Sequence, residues 1–425
     1  MSVEPSDPEH ECRLDIDAIN TEFMEVYMKY SRRWRTLVLG SAGPHLTTLC
    51  RLGVDDIPQL ETVRTSSSTV LFRRHEQGIR LAPAGELVTH ARSLRTLHIT
   101  SEWISVQVLT FPLGWSSLTV LRITSPMWQP LEPGRFELGI FLQTLAEQCK
   151  SLIVFSLKNF LSYDSELLQP PSPSSLTLVS WTTIREFIFS ARGSVNEIFT
   201  ESIRNALEQI ALPGVESLSI AYCDDIIRDP TNSDSDIPAA PWEKLLLSSQ
   251  PHIHHLELDF PRSHWGIRAL LQSLKPLVTL KSLRIGHERA WDMGYEELLR
   301  GLREPFEDGL LCPELEELVL EGCVANDVEI LPTLVDRHFL TSRPNLKLIR
   351  ANFGFQIEYD DAARSALSSI QDKNGFDVSA MQREIVLTRK VELGATVILT
   401  FGRFHNSAGH HDRPNSGMPG SGRWY

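Results

Sequence analysis

A short module, Φ-x-x-Φ-x-Φ with Φ apolar, recurs along most of the chain. The clearest copies are LRTLHI from Leu94, LTVLRI from Leu118, VESLSI from Val215, IHHLEL from Ile253, LKSLRI from Leu280 and LEELVL from Leu315. Looser copies fill the gaps: WRTLVL from Trp34, LETVRT from Leu60, LIVFSL from Leu152, IREFIF from Ile184 and LKLIRA from Leu346. The last two Φ positions alternate with polar residues, the period of a strand with one buried face, so each module predicts one short strand. Between modules the spacing changes to three and four. Leu138, Phe141, Leu142 and Leu145 share a helix face, as do Ile198, Phe199, Ile203, Leu207 and Ile210. Gly266 to Leu280, Tyr295 to Phe306 and Val328 to Phe339 read the same way. Strand, turn, helix and return in one direction make parallel strands with right-handed crossovers.

The eleven starts span 312 residues, a mean spacing of about 31, close to that of leucine-rich repeats. Leucine is correspondingly abundant, with 58 in 425 residues. The predicted fold is α/β: a leucine-rich-repeat solenoid of the RNI-like kind, a curved parallel sheet of about eleven strands backed by helices. No unit covers its own apolar face, so stability comes from stacking neighbours. The division expected is an acidic segment and capping helix over 1–33, the solenoid over 34–355, a C-terminal cap over 356–405 and a disordered tail over 406–425. In the first, Asp15 or Asp17 caps a helix whose Ile19, Phe23, Val26, Tyr27 and Tyr30 share a face. In the third, residues 385–404 predict one or two closing strands. The acidic stretch 224–238 reads as a solvated loop between units.

Charge narrows the range of partners. A net charge of −13 disfavours nucleic acid and anionic membrane. No apolar run approaches the roughly 18 residues of a membrane span, and the start, MSVEPSDPEHE, lacks the basic and apolar regions of a secretory signal. An intracellular location is expected, cytoplasmic, nuclear or both. The six cysteines contain no C-x-x-C pair, so reduced and mostly buried thiols are expected. Cys223 and Cys323 close their modules where a repeat of this type buries Asn or Cys.

The segment FMEVYMKYSRRWRTLVL, followed by LTTLCRLGVDDIPQLETV, resembles the leucine-rich region of the large F-box protein families of mushroom-forming fungi. LCPELEELVLEGC and RPNLKLIRANFG are similar to repeats of that family, and the resemblance covers residues 16–355. It implies a substrate-recognition part of an SCF-type ubiquitin ligase receptor. Nothing before Asp15 matches an F-box, so the ligase adaptor subunit is an expected partner only if an F-box lies upstream.

Enzyme signatures are missing: no G-x-S-x-G, no P-loop, no H-E-x-x-H and no G-x-G-x-x-G at a strand-helix junction. The acid pairs Asp55/Asp56, Asp224/Asp225 and Asp360/Asp361 read as solvated loop carboxylates. His252, His254 and His255 lack a companion ligand at metal spacing, and His405, His410 and His411 fall near or in the tail. No catalytic residue, cofactor or metal is therefore expected. Trp103, Trp115 and Trp128 read as exposed aromatics packing loops. The functional expectation is a non-enzymatic interaction scaffold whose concave face holds a protein. Its alternatives are a stand-alone repeat module without a ligase link and an enzyme with a loop-built site.

The residue between the last two Φ positions of each module should point to that face. These are Val38, Arg64, His98, Arg122, Ser156, Ile188, Ser219, Glu257, Arg284, Val319 and Arg350. Flanking positions add Lys158 and Glu317 among others. The candidate contacts are Arg64, His98, Arg122, Lys158, Glu257, Arg284, Glu317 and Arg350, with positive groups toward the first half and carboxylates toward the second.

Overall fold

The computed structural model describes residues 21–40, 51–66, 71–75, 78–100, 106–124, 138–162, 178–193, 205–224, 243–249, 252–259, 267–286, 295–303, 311–323, 345–353, 377–381, 384–390 and 396–402, with Leu49 and Ile203. Every module yields a strand beginning two residues after its first Φ. These are β1 (Thr36–Leu39), β2 (Thr62–Thr65), β5 (Thr96–Thr100), β6 (Val120–Thr124), β7 (Val154–Ser162), β9 (Glu186–Gly193), β11 (Ser217–Asp224), β12 (His255–Asp259), β13 (Ser282–Gly286), β14 (Glu317–Cys323) and β15 (Leu348–Phe353). They pair parallel in chain order within one 14-stranded sheet.

Helices fill several of the crossovers: α2 (Pro83–Thr89), α3 (Leu138–Gln148), α4 (Glu243–Ser249), α5 (Ile267–Leu274) and α6 (Tyr295–Arg303), with α1 (Thr21–Met28) ahead of the sheet. Their apolar faces and one face of the sheet form a single core. Leu138, Phe141, Leu142 and Leu145 of α3 bury against the same cluster as Leu121, Phe155 and Phe187, and Phe155 packs on Trp181 and Phe187 with ring centroids 5.7 and 5.5 Å apart. Two rows of strand residues supply the sheet's half. One runs Leu37, Val63, Leu97, Leu121, Phe155, Phe187, Leu218, Leu256, Leu283, Leu318, Ile349, all buried. The other begins at Leu39 and is interrupted once by Thr65, whose buried hydroxyl has no hydrogen-bond partner among the described residues.

A repeated backbone junction locks each strand to its predecessor. The carbonyls of Arg35, Glu61, Arg95, Thr119, Ile153, Arg185, Glu216, His254, Lys281 and Glu316 each accept two consecutive amide hydrogens from the start of the next strand. A tight turn precedes most strands, in which the amide of the first Φ donates to the carbonyl three residues back. The residues at that position are Ser31, Ile57, Ala91, Trp115, Cys149, Leu212, Leu277 and Cys312, all buried. The module is thus longer than the sequence pattern suggests, Φ-x-x-Φ-x-x-Φ-x-Φ. Cys149 and Cys312 are two occupants of its first position, and Cys312 adopts a left-handed φ of 45° there.

Several expectations need correction. On α1, Tyr27 and Met28 pack against the core whereas Val26 is exposed, and the helix ends before Tyr30, which is exposed in the following turn. The helix containing Leu207 ends before Ile210, which lies in β10 (Ile210–Ala211), paired parallel with β8 (Val179–Ser180). Trp115 is buried, its indole N–H donating to the Phe111 carbonyl at 2.7 Å, because it fills the turn position. Asp224 ends β11. A hairpin of β3 (Phe72–His75) and β4 (Gly78–Leu81) has no counterpart in the sequence reading. At the far end the expected closing strands are β17 (Glu384–Lys390) and β18 (Thr396–Gly402), and β16 (Asp377–Met381), ahead of the stretch read from the sequence, adds a third. β18 pairs parallel with β15, and β17 and β16 follow antiparallel. Val328 to Phe339, Trp103, Trp128, Asp15, Asp17 and the tail lie outside the described residues.

Candidate functional site: the polar face of the sheet

Alternation along each strand puts its intervening residue on the face opposite the core, and the parallel register aligns these residues from strand to strand. Val38 pairs with Arg64, Arg64 with His98, His98 with Arg122, Arg122 with Ser156 and Ser156 with Ile188. Ile188 continues to Ser219, Glu257, Arg284, Val319 and Arg350. All eleven positions picked from the sequence therefore form one unbroken row, with neighbouring strands about 4.8 Å apart. Arg64, Arg122, Arg284 and Arg350 are exposed, and His98 and Glu257 are partly so. Ser156 and Val319 are buried, short side chains flanked in register by Arg122 and Arg350 respectively. Lys158 is exposed beside Thr124, and Glu317 beside Ser282 is partly buried.

The two halves of the row differ in how their charge is balanced. In the later strands Arg284 is compensated internally, although Arg350 at the end of the row forms no ion pair with a described residue. Arg284 bridges Glu257 at 3.3 Å and Glu321 at 2.6 Å. Ser219 Oγ donates to Glu257 and Ser282 Oγ to Glu317, each at 3.0 Å. Near the first strands there is no such balance. β1, β2, β5 and β6 and the first five residues of β7 contain no Asp or Glu. Arg64, Arg122 and Lys158 form no ion pair with a described residue. Between the two guanidiniums, partial burial and then the charges of Arg64 and Arg122 depress the His98 pKa from 6.5 to about 4. The imidazole is therefore neutral at physiological pH, with hydrogen-bonding capacity and no charge.

Other groups singled out in the sequence take structural positions. Asp56 accepts the Gly53 amide at 2.9 Å and caps a short helical turn. His252 and His255 are exposed at the start of β12, and the His254 carbonyl anchors β13. Burial raises the Cys149 thiol pKa to about 12, and Cys312 Sγ lies 3.7 Å from the Leu274 carbonyl. Among the described residues no group of three or more His, Cys, Asp or Glu side chains is arranged to hold a metal ion, and no helix is long and apolar enough to cross a membrane. Compared with protein-family models and with curated proteins, the chain matches none.

Proposed function

We propose that the chain is a leucine-rich-repeat solenoid that acts as a non-enzymatic protein-recognition scaffold, similar to the substrate-holding part of fungal F-box receptors. The observation that carries this reading is the row of side chains in continuous register over eleven parallel strands, eight of them polar and three, Val38, Ile188 and Val319, apolar. A face built this way offers many side chains at regular spacing on a backbone fixed by its neighbours, which is how extended repeat surfaces hold partners. Curvature of the solenoid makes this face the concave one, and the partner is a protein. Docking on a ligase adaptor belongs to this reading only where an F-box lies upstream.

The test compares proteins co-purifying from cells with three forms of the full chain. One carries Arg64→Glu, Arg122→Glu, Glu257→Lys and Arg350→Glu on the polar face. Another carries Arg51→Glu, Glu147→Lys and Lys150→Glu, exposed charges outside the row. The third is wild type. With equal melting temperatures, the first variant is expected to lose the specific partners and the second to keep them. Retention of the full partner set by the first variant contradicts the reading.

A further inference from the structure

On the early strands of the polar face three cations gather that no described residue neutralises. Arg64, His98 and Arg122 are consecutive in register on β2, β5 and β6, and Lys158 follows on β7, two positions beyond the row and paired with Thr124. The surrounding strand positions on this face are Thr62, Thr96, Thr100, Val120, Thr124 and Val154, none of them charged. This is unexpected in a chain of net charge −13. Elsewhere on the same face Arg284 has carboxylates on both sides.

We infer that the face formed by Arg64, His98, Arg122 and Lys158 is the docking site for an extended acidic polypeptide segment of a partner protein. The inference rests on the reading of the polar face as a partner surface and assigns that partner's chemistry. The geometry suits carboxylates on a strand-like chain. Arg64 and Arg122 stand two strands apart, about 9.6 Å between backbones. Acidic residues at alternate positions of an extended peptide lie about 7 Å apart on one face, within the span of two long guanidinium side chains. Each guanidinium can take a carboxylate in two parallel hydrogen bonds. His98, between them, can exchange a hydrogen bond with the peptide backbone, and the threonines offer further hydroxyls. A nucleic acid is disfavoured because only three cations are gathered here, while the remainder of the chain is strongly acidic.

The test is fluorescence anisotropy with the full chain and a labelled hexapeptide of alternating Glu and Ser, its Gln-Ser counterpart, and a labelled single-stranded DNA of similar length. Saturable binding of the Glu-Ser peptide is expected, weakening with added salt, with little binding of the Gln-Ser peptide or the DNA. The R64Q/R122Q/K158Q variant should bind the acidic peptide at least about tenfold more weakly. An R51Q/K150Q variant, which removes two exposed cations outside the row, should bind within about twofold of wild type. Absence of saturable peptide binding, equal loss in both variants, or preferential DNA binding overturns the inference. The broader reading fails separately, if the polar-face charge reversals leave the co-purifying proteins unchanged.

Discussion

Thr65 is the residue that most clearly breaks the rule of its position. It stands in a buried row otherwise built from apolar side chains, and its hydroxyl finds no partner among the described residues. Thr65→Val keeps the shape and removes the unsatisfied group, so stability should rise by about 1 kcal/mol, measured from the urea midpoint. His98 carries a pH dependence of definite sign. Its folded pKa, about 4, lies below the ordinary 6.5, so the folded state binds fewer protons than the unfolded state between those values. Stability from this group is present above about pH 6.5 and is lost as pH falls toward 4. His98→Gln should flatten that part of the stability profile, and an unchanged slope would show that burial and the charges of Arg64 and Arg122 do not depress its pKa. Cys149 behaves in the opposite sense. Its thiol pKa is raised from 9.0 to about 12, so its contribution is present below about pH 9 and is lost as pH rises toward 12. At pH 8 it should resist alkylation until the protein unfolds, as followed by mass spectrometry of the Cys149 peptide.

At the scale of elements, two glycines show how closely the crossovers pack on the sheet. A Cβ at Gly85 in α2 would stand 2.2 Å from the backbone carbonyl oxygen of Leu71, which cannot move without shifting the chain that leads into β3. A Cβ at Gly301 in α6 would meet the end of the Leu271 side chain at 2.7 Å, and that side chain can turn aside. Gly85→Ala should therefore cost about 3 kcal/mol. For Gly301→Ala, the helix-forming preference of alanine, about 1 kcal/mol, offsets much of the crowding. Chemical denaturation of the two variants gives the comparison. Elements whose hydrophobic period was sustained were legible in the sequence, which is why all eleven modules became strands and α3 lies over Leu138, Phe141, Leu142 and Leu145. The turn position before most strands was not legible because Ser31, Ala91, Trp115, Cys149 and Leu277 share burial but no chemistry. The β3–β4 hairpin was missed because FRRH and GIRL carry charge where a strand pattern should alternate. On the polar face, sequence spacing was enough to place the row, since parallel register follows from repeated modules. It did not reveal which charges neutralise each other: the ion pairs of Arg284 with Glu257 and Glu321 cross strands 27 and 37 positions apart.

For the whole molecule, the consequence of this architecture is that no single unit owns the surface. The ladder of doubly accepting carbonyls runs from Arg35 to Glu316 without interruption, so the side chains of the row keep their spacing from the first strand to the eleventh. Stability and surface then depend on the same stacking: a unit that unfolds exposes the apolar face of its neighbours and breaks the row. The final strands depart from the parallel rule only after β18, where β17 and β16 turn back antiparallel.

The most direct measurement is a set of electron-spin distances between a label at Arg64, introduced with an unnatural amino acid, and second labels at Ser219, Arg284 or Arg350. These positions lie five, seven and nine strands from Arg64 in the sheet order, about 24, 34 and 43 Å along a flat sheet and less as it bends. Single narrow distributions increasing in that order are the predicted result. Broad distributions, or a Ser219 distance longer than the Arg350 distance, would contradict one continuous sheet and the partner surface built on it.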